Sequence, residues 1–250
     1  MTPKTETPTK TEDEIIADLL ANVPSSSDIP IDLPSRNMFY TLIDPAEPVT
    51  VRAMTFQDEK AMVSNKAGDI DIINTLLARC VSNVSVGDLL LVDKLFLIMK
   101  IREISYGDDY KAVVTCPACK KSSEIIFKLS ELGVTYMPEG YTNPVCVHFP
   151  TLDKDAKIEL PRIKDEKYLV TTESTTNNFW RFLVDVDGYK KKTILSKVAE
   201  QLPLKDAHVM LNVLGGDGLG VQTKVQFACE QCPNTEIIDL PITADFFSGS

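Results

Sequence analysis

At 250 residues, of which 44% are hydrophobic, the chain is long enough to form one large domain or two small ones around a sizeable core. Its 36 acidic side chains against 26 basic ones give a net charge of −10, which repels phosphate backbones and disfavours general binding to nucleic acid. The chain contains no run of about 18 uncharged apolar residues, so no membrane span is predicted. The N-terminal sequence also lacks the layout of a signal peptide. We therefore expect synthesis in the cytosol and partners that are proteins.

Residues 1–36 form a polar tail. They are rich in Thr, Pro, Ser and acidic side chains, so they cannot bury enough apolar surface to fold alone. Thr11 and Glu14 have the spacing of a capping box, which predicts the start of a short helix. The apolar residues that follow at helical spacing are Ile15, Ile16, Leu19, Leu20 and Val23. A helix of about three turns is marginal by itself, so we predict either a fraying tail or a docking helix that orders on a partner or on its own domain.

Two β-rich runs open the folded part of the chain. Residues 38–44 and 48–55 are joined by a Pro-containing turn, and this pattern predicts a β-hairpin. Thr55 and Asp58 then have the capping spacing of a short polar helix.

Two apolar segments predict a helical core. Apolar residues recur at helical spacing from Ile70 to Val81, which makes Cys80 a small core residue. The run from Ser85 to Ile104 is apolar almost all round and predicts a buried central helix about 30 Å long. Its internal charges argue against a membrane span.

Loops and helices are predicted for the middle of the chain. Pro and Gly residues punctuate residues 131–165, which predicts loops and short strands. Helical periodicity returns in three segments, residues 179–186, 193–202 and 204–214. The Gly-rich turn at 215–220 resembles a phosphate-binding loop only superficially, because no Lys followed by Ser or Thr comes after it.

Four of the six cysteines form two CxxC pairs, Cys116/Cys119 and Cys229/Cys232. In a reducing cytosol, paired cysteines of this kind indicate metal binding rather than disulfides. Each pair lies between two β-rich runs, with a Lys five positions before it and the sequence Glu-Ile-Ile after it. We therefore predict two matching strand–turn–strand knuckles. Zinc binds four thiolates at about 2.3 Å in a tetrahedron, so two facing CxxC turns would complete its shell and leave no open position for a substrate.

The two pairs are far apart in sequence, since Cys119 and Cys229 are separated by 110 positions. Loop-closure entropy grows only logarithmically with length, and metal binding at about 10 kcal/mol or more can outweigh it. We favour one structural zinc per chain; two sites in an oligomer and no metal at all are the alternatives. A thioredoxin-like use of Cys116 and Cys119 also competes, but it needs a helix directly after the first cysteine, where the sequence predicts a strand.

The two histidines give thin support for catalysis. Cys146 and His148 alternate on one face of an extended run, and they could serve as metal ligands or as a Cys/His catalytic pair. A half-buried strand with an incidental histidine explains the same pattern. His208 lies on a predicted helix, where it packs or faces solvent. We therefore predict that the chain is not an enzyme and has no catalytic residue.

Several of these features also occur together in one protein family. They are Arg52, Thr55, Asp58 and Glu59, the long helix ending in LFLIMKIREISYGDDY, the CPAC pair followed by EII and LSEL, and the distant CEQC. Their order resembles that of baseplate hub proteins from T-even-type, contractile-tailed bacteriophages, over roughly residues 37–240. The resemblance implies a non-enzymatic structural or assembly component of the tail baseplate hub. Such a protein is assembled in the host cytoplasm and held in the virion tail by other tail proteins or by copies of itself.

The predicted fold class is α+β: an N-terminal β-hairpin, a helical core, and two CxxC β-knuckles that pair as a zinc-ribbon-like unit with a long helical insertion. The tail with its docking helix occupies residues 1–36, and one hub-like domain occupies residues 37–250. The parts of that domain are the hairpin with two helices (37–110), the knuckles (111–130 and 223–242) and an insertion of loops and helices (131–222).

The same cysteines suggest a second function, a zinc-ribbon adaptor in transcription or replication. Such a module places Lys and Arg around its knuckles. Lys120, Lys121 and Lys128 meet this requirement at the first knuckle, whereas Glu230 and Glu236 lie at the second. The charge therefore favours the structural component over the adaptor.

Overall fold

The computed structural model describes residues 11–20, 28–64, 68–240 and 244–247, and helices and strands are mixed along the chain. The helices are α1 (Glu12–Leu20), α2 (Phe56–Ser64), α3 (Asp69–Cys80), α4 (Leu91–Tyr106), α5 (Thr172–Asn178), α6 (Lys192–Glu200) and α7 (Leu204–Leu214). The strands are β1 (Ile29–Pro30), β2 (Thr50–Val51), β3 (Val81–Ser82), β4 (Asp109–Thr115), β5 (Ser122–Lys128), β6 (Val134–Thr135), β7 (Val145–Phe149), β8 (Lys154–Ile158), β9 (Leu183–Val186), β10 (Gly220–Val221), β11 (Lys224–Ala228) and β12 (Thr235–Asp239).

The N-terminal hairpin predicted for residues 38–44 and 48–55 is wrong. Strand β2 instead pairs with β1 and β3 in a three-stranded antiparallel sheet, while residues 36–39 lie in turns. Tyr40 accounts for the difference, because its hydroxyl donates to the buried carboxylate of Asp93 and accepts from the backbone N–H of Leu90. These contacts bind the segment to the start of α4, where it has no strand partner.

Helices α3 and α4 form the first core together with the sheet β1–β2–β3. Leu76, Leu77 and Leu97 are fully buried there. Cys80 is also fully buried at the end of α3, and burial raises the pKa of its thiol to about 11. The prediction that Cys80 is a core residue is confirmed.

Helix α4 begins six positions later than the predicted start at Ser85. A short 3₁₀ helix, Val86–Asp88, comes first, and the chain then runs extended through Leu90. Leu90 forms an antiparallel bridge with Arg162, and the backbone N–H of Ile163 donates to the carbonyl of Leu89. This pairing with a distant segment replaces the first helical turn that the periodicity predicts.

Asp93 and Lys94, two buried charged residues near the start of α4, are paired with groups from other segments. The carboxylate of Asp93 accepts from the backbone N–H of Ser35 at 2.9 Å and from Tyr40. Lys94 donates to both carboxylate oxygens of Glu166 at 2.7 Å. These bonds connect α4 to the N-terminal segment at residues 35–40 and to the 3₁₀ helix that contains Glu166. Within the described part of the chain, no helix is both long enough and apolar enough to span a bilayer.

The second core lies under the antiparallel sheet β7–β8–β9, with α6 and α7 packed on it. Phe149 and Met210 are fully buried here, and Leu90 and Val92 at the start of α4 pack on the same cluster. The carboxylate of Asp206 accepts the two backbone N–H groups of Thr151 and Leu152, which fixes α7 to the β7–β8 turn. Helix α4 is therefore shared by both cores.

The helix predicted at residues 179–186 is also wrong. Phe179–Phe182 forms a single 3₁₀ turn, and Leu183–Val186 is strand β9, in which Leu183 pairs with Ile158 of β8. The β-branched residues Val184 and Val186 favour an extended backbone when a neighbouring strand edge is free to pair. The helices predicted at 193–202 and 204–214 are present as α6 and α7.

A buried carboxylate joins the first sheet to α2 and α3. Asp58 is fully buried, accepts from the backbone N–H of Thr55 at 2.8 Å, and is paired with Arg52 at 2.7 Å and Arg79 at 2.6 Å. Burial alone would raise the pKa of Asp58, but the hydrogen bonds from Arg52, Thr55 and Arg79 outweigh it and hold the pKa well below its usual range. The predicted capping of α2 is confirmed.

We expect Asp58→Asn to lower the free energy of unfolding by about 1.5–3 kcal/mol at pH 7, because it weakens charged hydrogen bonds to Arg52 and Arg79, which are partly exposed and regain some hydration. Urea unfolding measures the loss, and Glu59→Gln, which removes a carboxylate outside this network, is the control. Because the folded pKa is depressed, the stabilisation is present above about pH 4 and is lost as the pH falls further. A difference between wild type and variant that grew on acidification would contradict this account.

Candidate metal centre

Both CxxC pairs lie at the tips of antiparallel hairpins. Strands β4 and β5 pair over their full lengths from Asp109–Lys128 to Thr115–Ser122, and β11 and β12 pair in the same way. At the first tip the backbone N–H of Cys116 donates to the carbonyl of Lys121 at 2.9 Å. At the second, Cys229 donates to Asn234 at 3.0 Å. The predicted strand–turn–strand arrangement is present at both.

The bases of the two hairpins are anchored on the first core. Tyr110 and Phe127 of the first hairpin and Val225 of the second pack against it. The Tyr110 ring also contacts the fully buried ring of Phe246, with centroids 4.7 Å apart. Side chains alternate in direction along a strand, and this alternation buries Phe227 on the inner face of β11. The common anchor brings the two tips together.

The four sulfur atoms form one compact cluster. The Sγ atoms of Cys116 and Cys232 are 3.8 Å apart, those of Cys119 and Cys229 are 3.7 Å apart, and all four lie within 4.8 Å of one another. A disulfide bond is about 2.05 Å long, so these cysteines are free. A tetrahedron with bonds of about 2.3 Å has edges of about 3.8 Å. The cluster therefore has the size of a four-thiolate metal shell and could hold one ion.

Hydrogen bonds to the sulfurs favour negative charge in the cluster. Backbone N–H groups of Cys119 and Ala118 point at the Cys116 sulfur and lower the pKa of its thiol to about 6. The backbone N–H of Gln231 donates to Cys229 at 3.4 Å and lowers the pKa of that thiol.

The fourth thiol behaves differently. The backbone N–H of Asn234 lowers the pKa of the Cys232 thiol. Desolvation and hydrogen bonds with the other three sulfurs outweigh this effect and raise the pKa to about 12. A divalent ion binds cysteines as thiolates, so its binding would displace protons from the cluster.

The amide side chain of Asn234 donates to the Cys116 sulfur at 3.6 Å across the two tips, a contact that was not predicted from the sequence. The signal was its position two residues after Cys232, within the turn. A strand, β5, follows the first pair, so the helix that a thioredoxin-like site requires is replaced by β structure.

Cys146 and His148 share the exposed face of β7, as predicted, at a groove of about 640 Å³. His148 does not pair with the thiol. Its Nδ1 lies 2.9 Å from Asp155 and its Nε2 3.4 Å from Asp153. The hydrogen bond with Asp155, followed by the nearby carboxylate charges, raises the pKa of His148. Among the residues that the structure describes, the four-cysteine cluster is the only group of three or more close metal-ligating side chains.

The Gly-rich turn has a packing explanation. Gly216 and Gly220 both have positive φ, and a Cβ atom on either would lie within 3.0 Å of Val92 in α4. Only glycine permits this approach. His208, the other histidine, is exposed on α7.

The predicted capping box of the tail helix is present in α1. The backbone N–H of Thr11 donates to Glu14 at 2.8 Å, and the backbone N–H of Glu14 donates to the Thr11 hydroxyl at 3.3 Å. Ile15, Ile16 and Leu19 are exposed. The side chain of Leu20 and the whole of Val23 lie outside the described residues.

Comparison with known proteins finds one family. The family model described as T4 bacteriophage base plate protein matches residues 27–247. Searches of curated proteins and of solved structures find no match to the chain.

We expect Asp155→Asn to lower the pKa of His148 towards its ordinary value, because the variant removes the carboxylate that stabilises the imidazolium. NMR titration of the His148 ring protons measures the pKa. Asp187→Asn, in the same groove, is the control and should have a smaller effect. An unchanged His148 pKa in Asp155→Asn would show that this pairing is not formed in solution.

Proposed function

Since the chain belongs to the T4 bacteriophage base plate protein family, we propose that it is a non-enzymatic structural or assembly component of the baseplate hub. Membership supports a structural role in the phage baseplate and contacts with other tail proteins. We further propose that it is assembled in the host cytoplasm and contacts copies of itself.

A structural zinc at the four-cysteine cluster is the second part of the proposal. One observation supports it: two pairs of sulfurs, from cysteines 110 and 116 positions apart, lie at 3.7 and 3.8 Å, which is the edge length of a zinc–thiolate tetrahedron. The ligands are Cys116, Cys119, Cys229 and Cys232. In this proposal residues 111–130 and 223–242 pair as a zinc-ribbon-like unit, and residues 131–222 are a long insertion within one domain of residues 37–250.

The donor set also supports a role without catalysis. Four thiolates complete a tetrahedral shell, so no position is left for a substrate or a reactive water. The metal would instead link the two hairpins, and through their anchored bases it would stabilise the first core. A rigid core of this kind suits a protein that is held in place by its neighbours.

The adaptor in transcription or replication has one supporting feature, the exposed Lys120, Lys121 and Lys128 of the first hairpin. The acidic Glu230 lies at the tip of the second hairpin, and the chain carries a net charge of −10. A DNA-binding measurement that shows no dependence on salt concentration would dismiss this function.

The purified chain should contain about one zinc, and Cys116→Ser and Cys229→Ser should each contain almost none, because three sulfur ligands bind the ion far less tightly. Elemental analysis together with native mass measures the stoichiometry. Cys146→Ser, which changes an exposed cysteine outside the cluster, is the matched control and should keep its zinc. Metal at half this stoichiometry in a dimer would instead indicate a site shared between chains.

Phages that carry Cys116→Ser or Cys229→Ser should fail to assemble complete baseplates, because the hairpins lose their link. Electron microscopy of the particles and plaque counts measure this effect, with Cys146→Ser as the control. Normal particles from both cluster variants would refute a structural role for the metal.

A further inference from the structure

Helix α1 presents an apolar stripe to solvent. Leu19 follows Ile15 and Ile16 by four and three positions, so the three side chains lie on one side of the helix. The exposed fraction of the side chain is 45% for Ile15, 53% for Ile16 and 75% for Leu19. Apolar side chains that are exposed together on one helix face are typical of a surface that binds an apolar groove.

The remainder of α1 is acidic. Glu12, Asp13 and Glu14 occupy its first turn, Asp18 lies in its last, and residues 11–20 contain no Lys or Arg. A surface that binds this helix has to neutralise several carboxylates around the apolar stripe. Lys and Arg side chains at the rim of the groove do this and also speed association.

The helix is short for independent stability. It has nine residues, below the roughly 12–15 at which isolated helices become marginally stable in water. The reciprocal hydrogen bonds of Thr11 and Glu14 cap only its N-terminal end. Burial of the stripe would supply the missing stabilisation, so helix formation and binding are coupled.

Two grooves on the described part of this chain do not match α1. The apolar groove between α4 and β6, of about 210 Å³, has one lysine, Lys100, which already lies 2.6 Å from Glu103. The groove on β7–β8–β9 is lined by three carboxylates, those of Asp155, Asp185 and Asp187, against His148 and a single lysine, Lys157, so it is acidic and disfavours an acidic helix. A second copy of the chain offers the same two grooves and carries the same net charge of −10, which repels an acidic helix, so the charge favours a different protein.

We infer that α1 is a docking helix that binds, on a different protein of the baseplate, an apolar groove rimmed by Lys and Arg. The inference rests on the proposed function, because it takes the partner from the same assembly. Ile15, Ile16 and Leu19 enter the groove, and Glu12 and Asp13 meet its basic rim.

A photo-reactive amino acid at Leu19 of the full-length chain tests the contact in particles assembled during infection. Cross-linked peptides identified by mass spectrometry should come from another baseplate protein, at aliphatic residues with Lys or Arg beside them. Cross-links within the chain, to a second copy, or to a site without basic residues overturn the inference.

A second experiment tests the contact with the basic rim by neutralising two carboxylates of α1. The double variant Glu12→Gln/Asp13→Asn should reduce the yield of the cross-link about tenfold at physiological salt, since it removes the charges that pair with the rim. Glu139→Gln/Glu173→Gln makes the same change in net charge at two exposed sites of the domain and should leave the yield unchanged. Equal yields in both double variants overturn the inference.

The abundance of the chain in purified particles separates this inference from the proposed function. If the wild-type chain is present in baseplates and Leu19 gives no cross-link to another protein, the docking inference alone fails. If the wild-type chain is absent both from baseplates and from their assembly intermediates, both fail. Thermal unfolding of each variant should match that of the wild type, because the substituted residues are exposed and lie outside both cores.

Discussion

Helix α4 runs between two cores, and its buried charged residues Asp93 and Lys94 are paired with groups from elsewhere in the chain. Asp93 accepts hydrogen bonds from Tyr40 and from the backbone of Ser35 in the N-terminal segment, and Lys94 donates to Glu166 from the middle of the chain. A carboxylate or ammonium group buried without these partners would cost several kcal/mol. The long-range connections of the fold therefore converge on this helix, and strand β4, which follows it directly, leads to the first hairpin tip.

The sequence predicts most elements whose stability is decided locally. Period-3.6 patterns locate α3, α6 and α7, and capping residues locate the starts of α1 and α2. The CxxC pairs also identify the four cysteines that the structure brings together, because their matching surroundings indicate the same strand–turn–strand unit twice. The geometry of such a turn depends on a few neighbouring residues, so it can be recognised without the rest of the fold.

The predictions that fail are those in which a distant segment competes for the backbone. Leu90 pairs with Arg162 in place of a first helical turn, Leu183 pairs with Ile158 in place of a helix, and Tyr40 is held by α4 in place of a hairpin partner. Each competing segment lies tens of positions away, so local periodicity carries no information about it. For the same reason, the contact of Asn234 with the Cys116 sulfur becomes evident only when both tips are seen together.

The sequence separation of the two hairpin tips has a consequence for biosynthesis. Cys229 is translated 110 residues after Cys119, which at typical rates of synthesis is a delay of about 5–20 s. During that interval the first tip emerges from the ribosome with two thiols and without the pair that completes the cluster. The four sulfurs can therefore meet only after the second core and most of the first have been synthesised. A closed cluster thus forms only in chains in which the intervening polypeptide is already present.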